Sequence, residues 1–275
     1  MKTGRSTSEP TRGEFPYWLA ALAVLGVAAF VAIASNESWS RILEVIATGL
    51  WTTVFVTLVG FALACVVGLA IAVMALSRHR VLREIARFYV EIVRGVPIIV
   101  LLFYVAFVGA PALVWLVNAI VEPFTDWRMG IRDFPLVWRA AIALTIGYSA
   151  FIAEVFRAGI QAVPEGQIEA AKALGMRPWA RFRTIVLPQA VRIMLPPLGN
   201  FFVAMVKDSS LVSVLGVGDM TQAAKVYAAG SFTFFETYSV LALMYLCLTI
   251  SLSIALRRLE VRLDRERRER GPGGG

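Results

Sequence analysis

The chain has 275 residues, 58% of them hydrophobic and only 17% charged, with a mean hydropathy of +0.71. Soluble domains carry about 25% charged residues, so this composition excludes one and marks a membrane protein. Lys and Arg number 27 against 19 Asp and Glu, yet they cluster between apolar stretches rather than along a solvated face, which excludes a nucleic-acid partner.

A spanning helix needs about 20 apolar residues, so uncharged runs come first. Four are long enough: Phe15–Asn36 with 22 residues, Val45–Ser77 with 33, Gly95–Val121 with 27 and Thr237–Leu256 with 20. Ala140–Ala153 and Ile193–Val206 hold only 14 each and span only if they carry charge. Orientation requires both. With the amino terminus inside, six spans leave 21 of the 27 basic residues on the cytoplasmic side, as the positive-inside rule demands. The first run, ending near Ala32-Ile33-Ala34-Ser35, also resembles a cleavable signal peptide, but its apolar core is long for one and an uncleaved helix is expected. Cys65 and Cys247 lie inside apolar runs and read as small buried hydrophobes, leaving no disulfide framework. His79, the only histidine, reads as interfacial, and a metal site lacks ligands.

The inside loop from Arg157 to Arg192 reads as two short helices. Pro164 begins the first, Glu165 and Glu169 suit its positive end, and Gly175 supplies a left-handed stop. Pro178 starts the second and Pro188 is expected to end it.

Within this loop, Glu169-Ala170-Ala171, three residues, Gly175, nine residues, Ile185, one residue, Leu187-Pro188 resembles the EAA motif of permease subunits of bacterial ATP-binding-cassette importers. Tyr148-Ser149-Ala150, Ala153–Ile160, Gly166-Gln167, Pro188-Gln189-Ala190, Lys207–Leu211 and Arg94-Gly95-Val96-Pro97 resemble the branch that imports polar amino acids. The resemblance covers roughly residues 45–260, and the chain departs from it in an extra first span and a long outside segment, Val108–Trp138. It implies an all-α membrane protein of about six transmembrane helices, a five-helix type I importer core plus an extra amino-terminal helix, with a cytoplasmic coupling helix. The resulting divisions are a tail over 1–16, the extra helix and outside loop over 17–44, the permease domain over 45–256 including the 157–192 loop, and a cytoplasmic tail over 257–275. It further implies that Glu169, Ala170, Ala171, Gly175, Ile185, Leu187 and Pro188 couple the chain to two cytosolic ATPases. A second permease subunit, identical or homologous, and an outside amino-acid-binding protein complete the implied partners.

No Gly-x-x-x-x-Gly-Lys-Ser/Thr loop occurs in the chain, so ATP is expected to bind the partner and no cofactor is expected here. Glu154, Lys207 and Asp208 lie at the edges of the two charged spans, and an ionisable group at membrane depth marks a pathway candidate. Glu154 has Arg157 three residues on as a local alternative partner, and Lys207 and Asp208 have their outer-interface neighbours. Pro196, Pro197 and Gly199 are expected to break span five, with Asn200 beside the freed carbonyls, either lining a wet path or making a packing kink. The function these readings favour is that of an inner-membrane permease subunit, both termini cytoplasmic, importing a polar amino acid by alternating access. The alternative is a stand-alone ion-coupled secondary transporter, which predicts inverted hydropathy repeats that the sequence lacks. An embedded enzyme is disfavoured because no nucleophile, base and orienting group converge on one segment.

Overall fold

The computed structural model describes residues 24, 26–28, 31 and 35–269, with side chains to 262. The first apolar run therefore lies largely outside the described residues, as does the end of the basic tail. Every regular element among the described residues is helical, and five helical runs are long and apolar enough to cross a membrane: Glu37–Ala75, Ile98–Val121, Leu136–Gln161, Pro178–Leu215 and Phe234–Arg262.

Helix α1 (Glu37–Ala47) starts where the Asn36 side chain accepts from the Ser38 N–H at 2.9 Å, and it runs through a short turn into α2 (Leu50–Ala75). The segment expected as an outside loop around Arg41 is thus helical, because Ile42 and Ile46 recur at a spacing of four and pack on α10 (Met220–Ser231) and the start of α11 (Phe234–Glu269). The basic stretch after α2 is a 16-residue helix, α3 (Arg80–Gly95). Val81, Ile85, Phe88 and Ile92 form its exposed apolar stripe, while Ala86 and Val93 are buried. Val96-Pro97 breaks the chain, since the residue before a proline avoids helical backbone, and α4 (Ile98–Tyr104) continues through a π turn into α5 (Ala110–Val121). Most of the long segment expected outside is therefore part of a span. Only residues 122–135 form a loop, tied down by the Asn118 amide to Met129 (2.7 and 2.9 Å) and by Arg139 to the carbonyls of Phe134, Ile131 and Ala106.

The scaffold is the pair α2 and α6 (Leu136–Gln161). Gly60, Ala64, Gly68 and Ala72 make a buried row of small residues on α2. Small residues at every fourth position let two backbones approach. A Cβ at Gly68 would lie 2.9 Å from both the Ser149 carbonyl oxygen and Ile152, and the Thr145 hydroxyl donates across the seam to the Gly60 carbonyl at 3.2 Å.

After the loop that follows α6, one helical run carries α8 (Pro178–Arg181), a π turn (Phe182–Val186) and α9 (Leu187–Asp208). Pro188 does not end this helix. The π turn widens the backbone just before it, with the Leu187 N–H reaching back to the Phe182 carbonyl, so the ring enters without displacing the next turn. Nor do Pro196 and Pro197 break it: both lie inside α9, and Gly199 is buried against Leu256 of α11. Cys65 is half-buried and Cys247 is exposed rather than buried, because most of the last span faces outward from the fold.

Candidate functional site

Between α6 and α8 lies α7 (Glu165–Ala173), entered at Pro164. Gly175 follows with φ +72, and two bonds close the turn: Gly175 N–H to Lys172 O at 2.9 Å and Met176 N–H to Ala171 O at 3.1 Å. This paired closure satisfies the last carbonyls of a helix and needs a left-handed residue that glycine adopts without strain. The loop is fastened to α9 by Gln189, whose amide donates to Gln167 Oε1 at 2.7 Å. Beneath it Val163, Val186, Ala190 and Met194 form a buried apolar cluster with Ile168 and Phe182 packed on it.

The sequence-predicted loop residues divide by direction. Glu169, Ala170, Gly175, Leu187 and Pro188 are exposed, Ile185 is half-buried, and Ala171 is buried at 2% exposure. Ala171 faces the chain's own fold. Leu174, 82% exposed, and Trp179, 69% exposed and stacked on Phe182, were not singled out from the sequence. Both flank the Gly175 turn, where the chain leaves one short helix and starts the next.

The pathway candidates also separate. Glu154 does not pair with Arg157. Its Oε2 accepts from Arg94 Nη1 at 2.8 Å, whereas Arg157 donates to Gln161 at 2.9 Å. The Arg94 guanidinium also sits 5.5 Å over the Phe151 ring. Asp208 accepts from the buried Tyr148 hydroxyl at 2.7 Å, and Tyr148 stands edge-on to Phe201. Lys207 and Asn200 are exposed and join neither group.

Two cavities accompany these pairs. One, about 330 Å³, is polar and lies between the ends of α2 and α6 and the first turns of α3, lined by Arg83, Arg87, Glu91, Glu154, Arg157 and Gln161 among others. The second, about 340 Å³, lies deeper and is lined by Val96, Pro97, Gly147, Tyr148, Phe151, Phe201 and Asp208 among others. Arg94 was quoted from the sequence only as part of a motif. Its pairing with a residue 60 positions away is invisible to local reading.

Outside the spans, Asp219 is fully buried at the start of α10, accepting from the N–H groups of Gln222 at 2.9 Å and Thr221 at 3.2 Å. Burial outweighs these donors and raises its carboxyl above the ordinary range.

The chain matches the family described as "Binding-protein-dependent transport system inner membrane component" over residues 64–265. Among curated relatives, the probable glutamine ABC transporter permease protein GlnM of Bacillus subtilis is 37% identical over 217 residues, covering 79% of this chain and 92% of the relative. The glutamine transport system permease protein GlnP of Escherichia coli K12 is 33% identical over 229 residues, covering 82% and 97%. A solved amino acid ABC transporter, crystallised with histidines, superposes with a TM-score of 0.69 at 33% identity, covering 82% of this chain and 97% of that one. An inward-facing MetNI methionine transporter shares the fold, with a TM-score of 0.62 at 22% identity. With five candidate spans among the described residues, a proline-entered loop helix and this breadth of agreement, the chain belongs to the family of inner membrane components of binding-protein-dependent transport systems and is a permease subunit rather than a stand-alone carrier.

Proposed function

We propose that this subunit forms, with a second identical or homologous permease, the path by which a polar amino acid enters a bacterial cell across its inner (plasma) membrane. Two cytosolic ATPases bind and hydrolyse the ATP, a binding protein delivers the amino acid from outside, and both termini of the chain lie in the cytoplasm. The names of relatives carrying glutamine and of a histidine-bearing neighbour support the substrate class. The absence of a phosphate-binding loop from the sequence supports leaving nucleotide to the partner.

The single observation that carries the ATPase assignment is the build of the loop around α7. It presents Glu169, Ala170, Leu174 and Gly175 outward, an apolar anchor among small residues that let a partner's groove approach closely. Its inner side is welded to α6 and α9 by the apolar cluster and the Gln167–Gln189 bond. Force applied at α7 is therefore transmitted to both flanking spans. Closure of the ATPases moves α7, and α6 and α9 reorient the path by rigid-body motion. The deeper cavity with Tyr148 and Asp208 suits an ammonium group, and Glu154 lines the other end of the route.

Affinity purification of the chain from its native membrane, with identification of every retained subunit, tests this. The expected partners are an ATPase and a binding protein. Recovery of a functional transporter without any ATPase favours the secondary-transport reading instead.

A further inference from the structure

The lining changes from one cavity to the other at facing positions on α3 and α6. Along α3, Arg83, Arg87 and Glu91 line the polar cavity, and from Val93 onward the chain lines the deeper one. Along α6 the order is reversed in sequence: Gly147, Tyr148 and Phe151 line the deeper cavity, and Glu154, Arg157 and Gln161 the polar one. Arg94 and Glu154 stand at both changeovers, joined at 2.8 Å, with the guanidinium lying over Phe151. The pair links the Gly95-Val96-Pro97 break to the helix that leads directly into the α7 loop.

The geometry points to the Arg94–Glu154 ion pair, seated on Phe151, as a latch between the cavities that a zwitterionic amino acid opens by exchanging partners with it. This inference rests on the amino-acid path proposed above. The chemistry favours exchange over simple rupture. Separating the pair leaves two charges without partners, and an amino acid carries both complementary groups. Its carboxylate takes the place of Glu154 against Arg94 while its ammonium takes the place of Arg94 against Glu154, so no charge is stranded at any stage. Both side chains keep substantial exposure, 44% for Arg94 and 38% for Glu154. Water-exposed pairs are weak enough to be exchanged by a ligand. Arg94 and Glu154 both touch the passing amino acid in this scheme, and their exchange sets when the inner route opens.

The test uses the whole complex, this chain with its ATPases and binding protein, in proteoliposomes. Efflux of the labelled amino acid that the wild-type complex imports is measured without ATP, alongside ATP hydrolysis with and without loaded binding protein. Arg94→Glu and Glu154→Arg should each raise the ATP-independent leak about fivefold, the factor matching an ion pair worth about 1 kcal/mol, and raise hydrolysis in the absence of loaded binding protein. The charge-reversed double variant should return both quantities to within about twofold of wild type if coupling between the two sites is pairwise. A purely structural role would lower assembly and import together without raising leak. Assembled single variants with wild-type leak and coupling overturn the latch, as does a leak that the double variant fails to reduce. A wild-type complex that imports no amino acid with ATP overturns the function itself, and the latch falls with it.

Discussion

The α2–α6 seam and the α7 loop use small residues for opposite ends. In the seam, Gly68 is small because another backbone lies against it, with Ser149 and Ile152 2.9 Å from where a Cβ would stand. In the loop, no atom comes within 4 Å of a Cβ built on Gly166 or Gly175, and Ala170 is exposed. Small size inside a fold is explained by the fold. On an outer surface it is explained by something that approaches. Ala171, one residue from Ala170 yet buried, shows how sharply the boundary falls within a single helical turn.

The largest effect should come from breaking the seam. Gly68→Leu forces side-chain volume against backbone, which cannot yield as a flexible side chain does, and overpacking of this kind costs about 3 kcal/mol. Little monodisperse protein should be recovered from the membrane, and a normal yield with an unchanged unfolding temperature would show that the two helices are not in close contact. Next comes a contrast within the loop. Ala170→Trp should leave the purified chain's unfolding temperature unchanged while weakening ATPase retention by at least about tenfold, equivalent to about 1.4 kcal/mol of lost contact. Ala171→Trp should instead lower the chain's own unfolding temperature. Gly175→Arg should join Ala170→Trp in losing the ATPase, with a further cost of about 1 kcal/mol from placing a side chain in left-handed backbone. Equal behaviour of the two alanine variants would erase the boundary between inward and outward faces.

A smaller effect belongs to Asp219. Its carboxyl is raised in the folded chain by burial, so ionisation opposes folding: the stability it contributes is present below the unfolded value near 3.9 and is lost as pH rises through the raised one. Asp219→Asn keeps a side chain able to accept the α10 N–H bonds and should flatten the fall in unfolding temperature as pH rises over that window. An unchanged slope would mean that Asp219 does not set it.

Much of this was legible in the sequence because it is local. Uncharged runs marked three of the five candidate spans among the described residues, and Pro164 and Gly175 bounded α7, since a proline entry and a left-handed exit depend on neighbouring residues alone. The row Gly60, Ala64, Gly68, Ala72 was also readable at its period of four, although charge counting passed over it. What escaped depends on contacts across the fold. The basic run around Arg83 and Arg87 has a helical period in Val81, Ile85, Phe88 and Ile92, but that period does not show that the helix lies against α6. Pro188 resembled a terminator because nothing local announces the π turn that accommodates it. Glu154 had a plausible neighbour in Arg157, and only the folding of α3 against α6 brings Arg94 closer. Lys207 and Asp208 were indistinguishable as adjacent charges until the helix turned one outward and the other to Tyr148.

The central claim is that work done by ATPases enters this chain through α7. Vesicles can be prepared with this permease and its binding protein, with or without the ATPase subunits, and supplied with labelled amino acid and ATP. Accumulation against a gradient should occur only with the ATPase present and should vanish in Ala170→Trp. Concentrative uptake by vesicles lacking any ATPase would contradict the account.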